Sequence, residues 1–194
     1  MSWGFFNAQG ELKEAASHGV SLVAALPSSP VDGDVVDLTD SLTAPTYMWR
    51  LRYVAAKSTN KWVFIGGSAG FAEVMTSETQ GVTGVYGALT TAGPVFAIPV
   101  AGDYEVRIGA AITPNLANEF GTMSYDIGGT GAVDADSIAF GSSTGTTTIV
   151  AYGSKVRVKS GLTVVTLTAK YKSTTTVCTY ADRSIRVIPV AVGG

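Results

Sequence analysis

The sequence predicts an all-β protein, with a small N-terminal β domain followed by an antiparallel β-sandwich or jelly roll. Three observations lead there. Hydrophobic residues make up 46% of the chain and charged ones only 14%, well below the usual quarter. Apolar and polar residues alternate with a period of two in one stretch after another. Turn clusters rich in glycine, proline, serine and aspartate separate those stretches, and 23 glycines supply them. At 194 residues the chain is long enough to bury a sizeable core, as one large β domain or two small ones.

Residues 1–18 carry three large aromatics, Trp3, Phe5 and Phe6, ahead of the polar run "NAQGELKEAASH". Such a segment reads as an anchor that docks on a partner, or as a flap that folds back on the protein's own core. Apolar spacing from Leu12 to Val23 permits a short helix, although glycine and serine weaken it. No helix of three turns can be placed after residue 25.

Residues 19–67 read as the small β domain. "PSSPVDGD" is a turn, with Asp-Gly giving the tight bend. "VVDL" follows as a short strand. "TYMWRLRYV" alternates, placing Tyr47, Trp49, Leu51 and Tyr53 on one face and Met48, Arg50, Arg52 and Val54 on the other. "KWVFIGG" returns with Trp62 and Phe64 on one face. Aromatics interleaved with basic residues fit single-stranded nucleic acid, a sugar or a plain hairpin. A stacking site wants its aromatics exposed beside cations. Here they alternate away from the arginines, which favours a hairpin core of Tyr47, Trp49, Tyr53, Trp62 and Phe64, held by cross-strand aromatic pairs.

Residues 68–84, "SAGFAEVMTSETQGVTG", read as a linker without sustained period. Residues 85–194 read as the knob. "YEVRIGAAI" turns Tyr104, Val106, Ile108 and Ala110 inward, and "LTVVTLTAKY" does the same with Val165, Leu167, Ala169 and Tyr171. "RSIRVIPV" closes the chain.

Chemistry is sparse. A nucleophile needs a base beside it, and the one histidine, His18, lies outside both expected cores. No catalytic residues are assigned. Asp32, Asp34, Asp37 and Asp40 cluster in sequence, but their spacing does not match a calcium loop, so no metal is expected. "GGTG" at 128–131 lacks a following helix and is not a dinucleotide loop, and no cofactor is expected. Glu105, Glu119, Asp126, Asp134 and Asp136 could cleave a glycoside only if two of them met across it. The single Cys178 excludes an internal disulfide and reads as a small apolar residue. A net charge of -2 lacks the basic footprint of a nucleic-acid binder. "MSWGFF" has no basic region before its apolar residues, and no apolar run is long enough to span a bilayer. The protein reads as one made and used without secretion.

"ALPSSPVDGDVVDL" followed by "APTYMWRLRYVAAKSTNKWVFIGGSA" resembles a module of bacteriophage head and tail fibre proteins. The matching positions are Pro30, Asp32, Gly33, Asp34, Trp49, Arg52, Tyr53, Lys61, Trp62, Gly66 and Gly67. "IPVAGDY" and "DRSIRVIPV" resemble the opening and closing strands of a jelly roll of the tumour-necrosis-factor and complement-C1q type. Together the resemblances cover most of residues 26–194. They imply a homotrimeric virion protein without enzymatic activity, assembled in the host cytoplasm and displayed on the virion surface. It would be a head fibre or capsid decoration, held to capsid, portal or tail through Trp3, Phe5 and Phe6. The alternative they imply is a tail-fibre or baseplate protein that binds a host surface glycan. The loops to present such a ligand are 115–121 (Asn115, Asn118, Glu119), 128–136 (Asp134, Asp136) and 172–176 (Lys172). Neither nucleic acid nor membrane insertion is implied.

Overall fold

The computed structural model describes residues 5–6, 12–13, 20–116, 119–141 and 151–194. Strands β1 (Phe5–Phe6) and β2 (Leu12–Lys13) form a two-stranded antiparallel pair. Trp3, His18 and Asn118 lie outside the described residues. The helix permitted over 12–23 is not what the described part of that stretch adopts. Its residues 12–13 and β3 (Ser21–Val23) are extended, because pairing supplies the backbone partners that a weak helix former would lack.

β3 pairs in parallel with β4 (Val35–Thr39), and β4, β5 (Met48–Tyr53) and β6 (Trp62–Ser68) follow as an antiparallel meander. The Asp-Gly-Asp turn clamps its entry. Gly33, at φ +91°, donates its N–H to the Tyr53 carbonyl, and Asp34 accepts the Tyr53 N–H. Asp32 accepts the Ala55 N–H at 2.9 Å. Alternation in β5 buries Trp49 and Leu51 and leaves Met48, Arg50 and Arg52 outside.

The stretch read as a linker is not one. It contains β7 (Gly70–Val74) and β8 (Glu78–Gln80), each paired antiparallel with the last strand. Small and hydroxyl-bearing residues there reflect close packing: a Cβ on Gly70 would sit 2.2 Å from the Phe96 ring. Beyond it come β9 (Val95–Ala97), β10 (Gly102–Pro114), β11 (Phe120–Ile127), a single 3-10 turn at Asp134–Asp136, β12 (Ile138–Gly141), β13 (Ala151–Leu162), β14 (Thr166–Ser173) and β15 (Cys178–Val192).

Two sheets pack face to face as a sandwich. The larger has nine strands in the order β13-β10-β15-β6-β5-β4-β3, with β7 and β8 also on β15; the smaller runs β12-β11-β14-β9. The N-terminal strands join the larger sheet rather than forming one of their own, through Val63 opposite Ala191 and Trp62 opposite Val192. Trp49, Trp62, Tyr104, Ile108, Met123, Leu167, Tyr171, Tyr180 and Ile185 belong to one continuous core. Cys178 is fully buried in it as a free thiol, and that burial pushes its pKa up.

Bulges set which residues reach the core, as two of them show. In β15 the register against β10 shifts between Gly109 and Ala111, where Asp182 takes φ +48°. Before the shift Cys178 and Tyr180 point inward; after it Arg183, Ile185 and Val187 do. One extra residue thus reverses the face that follows. In β6 the shift falls at Ile65, so that Phe64 opposes Leu51 and Gly67 opposes Trp49. The edge strand β13 is protected differently. Its Arg157 and Lys159 are held by the 134–136 turn, on the Ala135 carbonyl and the Asp136 carboxylate, and charges at such positions discourage pairing with another chain.

Candidate functional site

The aromatic face singled out in the sequence lies inside the protein. Tyr47, Trp49 and Trp62 are buried, and Tyr53 and Phe64 pack against the same core. Tyr47 stacks on Trp49 at 4.3 Å between ring centroids, Trp49 stands 5.9 Å from Tyr104, and Tyr53 meets Trp62 at 5.3 Å. These rings are therefore closed to stacking with an external base or sugar. Across the sheet, Arg50 makes a two-pronged contact with Asp37, both bonds at 2.9 Å.

The four aspartates of 32–40 disperse. Asp32 and Asp34 hold the turn, Asp37 pairs with Arg50, and Asp40 accepts from Thr46. Among the described residues no group of three or more His, Cys, Asp or Glu side chains is placed to hold a metal ion. No helix among them is long and apolar enough to cross a membrane.

The three loops expected to carry a ligand fall into two clusters. In the first, Thr176 donates to the Asn115 side chain and Thr175 to the Glu119 carboxylate, so loops 115–121 and 172–176 are laced together. Residues 120–121 and 172–173 themselves belong to β11 and β14. In the second, Lys172 reaches Asp134 at 2.5 Å and lies 4.6 Å from the centre of the Tyr86 ring, while the Tyr86 hydroxyl also donates to Asp134 at 2.7 Å. The hydrogen bonds from Lys172 and then Tyr86 hold the Asp134 carboxyl below its usual range. A shallow depression of about 480 Å³ opens beside them, bordered by Val85 and Val133. Asp136 differs from expectation: it is 4% exposed and paired with Lys159, so it braces the turn from inside and offers no face to a ligand. The period-two pattern has no meaning in a 3-10 turn, which is why its burial could not be read.

Two features escaped the sequence. One is Arg183, fully buried with its guanidinium on the Thr76 and Thr91 carbonyls at 3.1 and 3.4 Å, 3.9 Å from Glu78 and 5.4 Å from the centre of the Tyr171 ring. Glu78 in turn accepts the Thr91 N–H at 3.0 Å, and hydrogen bonding to the Thr91 side chain and then to its backbone, ahead of the Arg183 charge, holds its carboxyl below the usual range. The pair ties β15 to the segments on either side of β8. It is a clamp, and it has no open side.

The other is the outer face of the large sheet. Cross-strand register sets Val156, Arg107, Arg186 and Phe71 in one row, and Val158, Glu105 and Ile188 in the next. Val158 is 61% exposed and Phe71 52%. Among the described residues nothing packs over this face. A signal for it was present: outward positions of an exposed strand are normally polar, and "KVRVKS" places valines there.

Comparison with known proteins adds little to this geometry. No family model matches the chain, and no curated protein matches it. Among solved structures it is similar to an isomalto-dextranase of Arthrobacter globiformis complexed with panose, at 15% identity and a TM-score of 0.32, over 74% of this chain and 22% of that one. It is also similar to the insecticidal delta-endotoxin Cry8Ea1 of Bacillus thuringiensis, at 13% identity and a TM-score of 0.32, over 79% of this chain and 32% of the toxin. The chain thus spans about a fifth of the first protein and a third of the second.

Proposed function

We propose that this protein is a structural component of a bacteriophage virion, a head fibre or capsid decoration that stands on the particle surface as a homotrimer. It performs no covalent chemistry, and its partners are copies of itself and the capsid, portal or tail protein that receives its N-terminal segment. The observation that carries the reading is the uncovered outer sheet face. Valine, isoleucine and phenylalanine side chains stand there in rows with Arg107, Arg186 and Glu105. A face of that make-up is stabilised by burial against a second copy, where each arginine can meet the glutamate of its neighbour. The fibre-like motif supports the virion setting.

Light scattering after gel filtration tests the assembly. The expected mass is near three times 20.0 kDa, and Val158→Glu should return it to that of one chain with the fold intact. A monomeric parent protein would overturn the trimer, and a trimer indifferent to Val158→Glu and Phe71→Glu would remove the interface from this face. Deleting residues 1–18 should abolish incorporation into particles while leaving the β-sandwich folded; particles that still take up the truncated protein would sink the anchor.

The second reading is a tail-fibre or baseplate protein that recognises a host surface glycan. The lacing of loops 115–121 and 172–176 favours it, since braced loops on a rigid β scaffold are suited to presenting contacts. A glycan array probed with the full chain separates the two.

A further inference from the structure

The outer face of the smaller sheet lies on the opposite side of the sandwich from the face proposed as the trimer interface. Alternation in β14 turns Leu167, Ala169 and Tyr171 into the core and Lys172 outward. Two segments pass over that face. Gly87 bridges to Tyr171 and brings Tyr86 beside Lys172, with the ammonium 4.6 Å from the centre of the ring. The chain after β11 folds back over its own strand, where the Ser124 hydroxyl donates to the Val133 carbonyl at 2.8 Å, and so delivers Asp134 to the same place. The depression of about 480 Å³ lies between these two segments.

The polar groups of the depression are fixed on one side and free on the other. Lys172 at 2.5 Å and the Tyr86 hydroxyl at 2.7 Å both donate to the same oxygen of Asp134, Oδ1. Among the described residues Oδ2 accepts no hydrogen bond, and the Asp134 side chain is 72% exposed. An ammonium carries several donors, and Lys172 spends one of them on Asp134. An acceptor and a donor thus stand side by side in fixed positions. Val85 and Val133, both exposed, give the depression apolar walls.

We propose that this depression binds a neutral pyranose through two neighbouring hydroxyls, one donating to Asp134 Oδ2 and the other accepting from Lys172 Nζ, with the C–H groups of the ring against Val85 and Val133. The proposal rests on the second reading, glycan recognition, and gives it a site. Neighbouring hydroxyls of a sugar stand side by side as the donor and acceptor do here, and hydrogen bonds to ionised partners are the strong kind. An apolar surround with a few convergent polar groups is the usual make-up of a small-molecule site. An anion would face the free oxygen of Asp134. A metal ion would find one carboxylate where several oxygens are needed. A purely apolar ligand would cover both charges without giving them partners.

The test uses the full chain with glucose, galactose, rhamnose and N-acetylglucosamine and their trimers, read by saturation-transfer and amide-shift NMR. Binding is expected at about 1 mM or tighter, with amide shifts at 84–86, 131–134 and 172. Asp134→Asn and Lys172→Met should each weaken it about 10-fold with the sheet signal in dichroism unchanged, and the exposed control Val164→Ala should not weaken it. The permethylated form of whichever sugar binds should not bind, since it has lost its donors. Affinity that survives both substitutions, or persists for the permethylated sugar, would overturn the proposal. Shifts confined to 115–121 and 174–176 would overturn it while leaving glycan recognition by the laced loops standing. Absence of binding to any of these sugars would overturn the site and the glycan reading together. Tighter binding of inorganic phosphate than of any sugar would show that Lys172 serves an anion and would overturn it too.

Discussion

Gly67 shows how tightly one residue can be specified. It sits at φ +111°, opposite Trp49, and a Cβ there would lie 2.1 Å from the Met48 carbonyl oxygen. Backbone cannot yield as a side chain does, so Gly67→Ala should destabilise the fold by about 3 kcal/mol, read as a shift of the urea midpoint. An unchanged midpoint would mean that the bulge at Ile65 can relax. Arg183 makes the matching case for a charge. Arg183→Ala strands the Thr76 and Thr91 carbonyls, leaves a cavity and should cost about 3 kcal/mol, whereas Arg183→Met fills the space and should cost less. Equal losses for the two variants would show that the charge and its hydrogen bonds, not packing volume, are what the site requires.

Among the elements, strands β10, β11, β14 and β15 concentrate buried phenols. Burial pushes Tyr104, Tyr125, Tyr171 and Tyr180 upward, and Tyr47 to about 12. The neutral phenol is therefore favoured more in the folded state than in the unfolded one. That contribution is complete below the unfolded value of about 10 and is lost as pH rises through the folded values. The protein should unfold in alkali, with tyrosinate absorbance and loss of sheet signal rising together. Tyrosinate appearing well before unfolding would mean that these strands open locally. The lowered carboxyls of Glu78 and Asp134 act at the other end. Their contribution is present above about pH 4 and is lost as pH falls through their folded values.

For the whole molecule, β15 is the element that binds the rest. One edge pairs with β10 and the other in succession with β8, β7 and β6. Trp49 and Trp62 of the N-terminal strands share a core with Tyr104 and Ile185. Unfolding should accordingly be a single cooperative event, with tryptophan fluorescence and far-ultraviolet dichroism melting at the same temperature. Two separated transitions would mean that the N-terminal strands form a unit of their own.

The sequence by itself determined the β class and most inward faces, because period-two alternation follows directly from strand geometry. It also marked the turn at Pro30–Asp34, whose Asp-Gly-Asp has a local hydrogen-bonding task for each member. The motif residues Trp49, Tyr53, Trp62 and Gly67 proved to be fold-forming, which is why the resemblance they carry speaks to architecture more than to a binding site. Only the tertiary structure decided the rest. β7 and β8 are strands because β15 offers them an edge, a partner about a hundred residues away that no local pattern shows. Arg183 is buried because a bulge at Asp182 reverses the alternation, and Asp136 because Lys159 meets it from another strand.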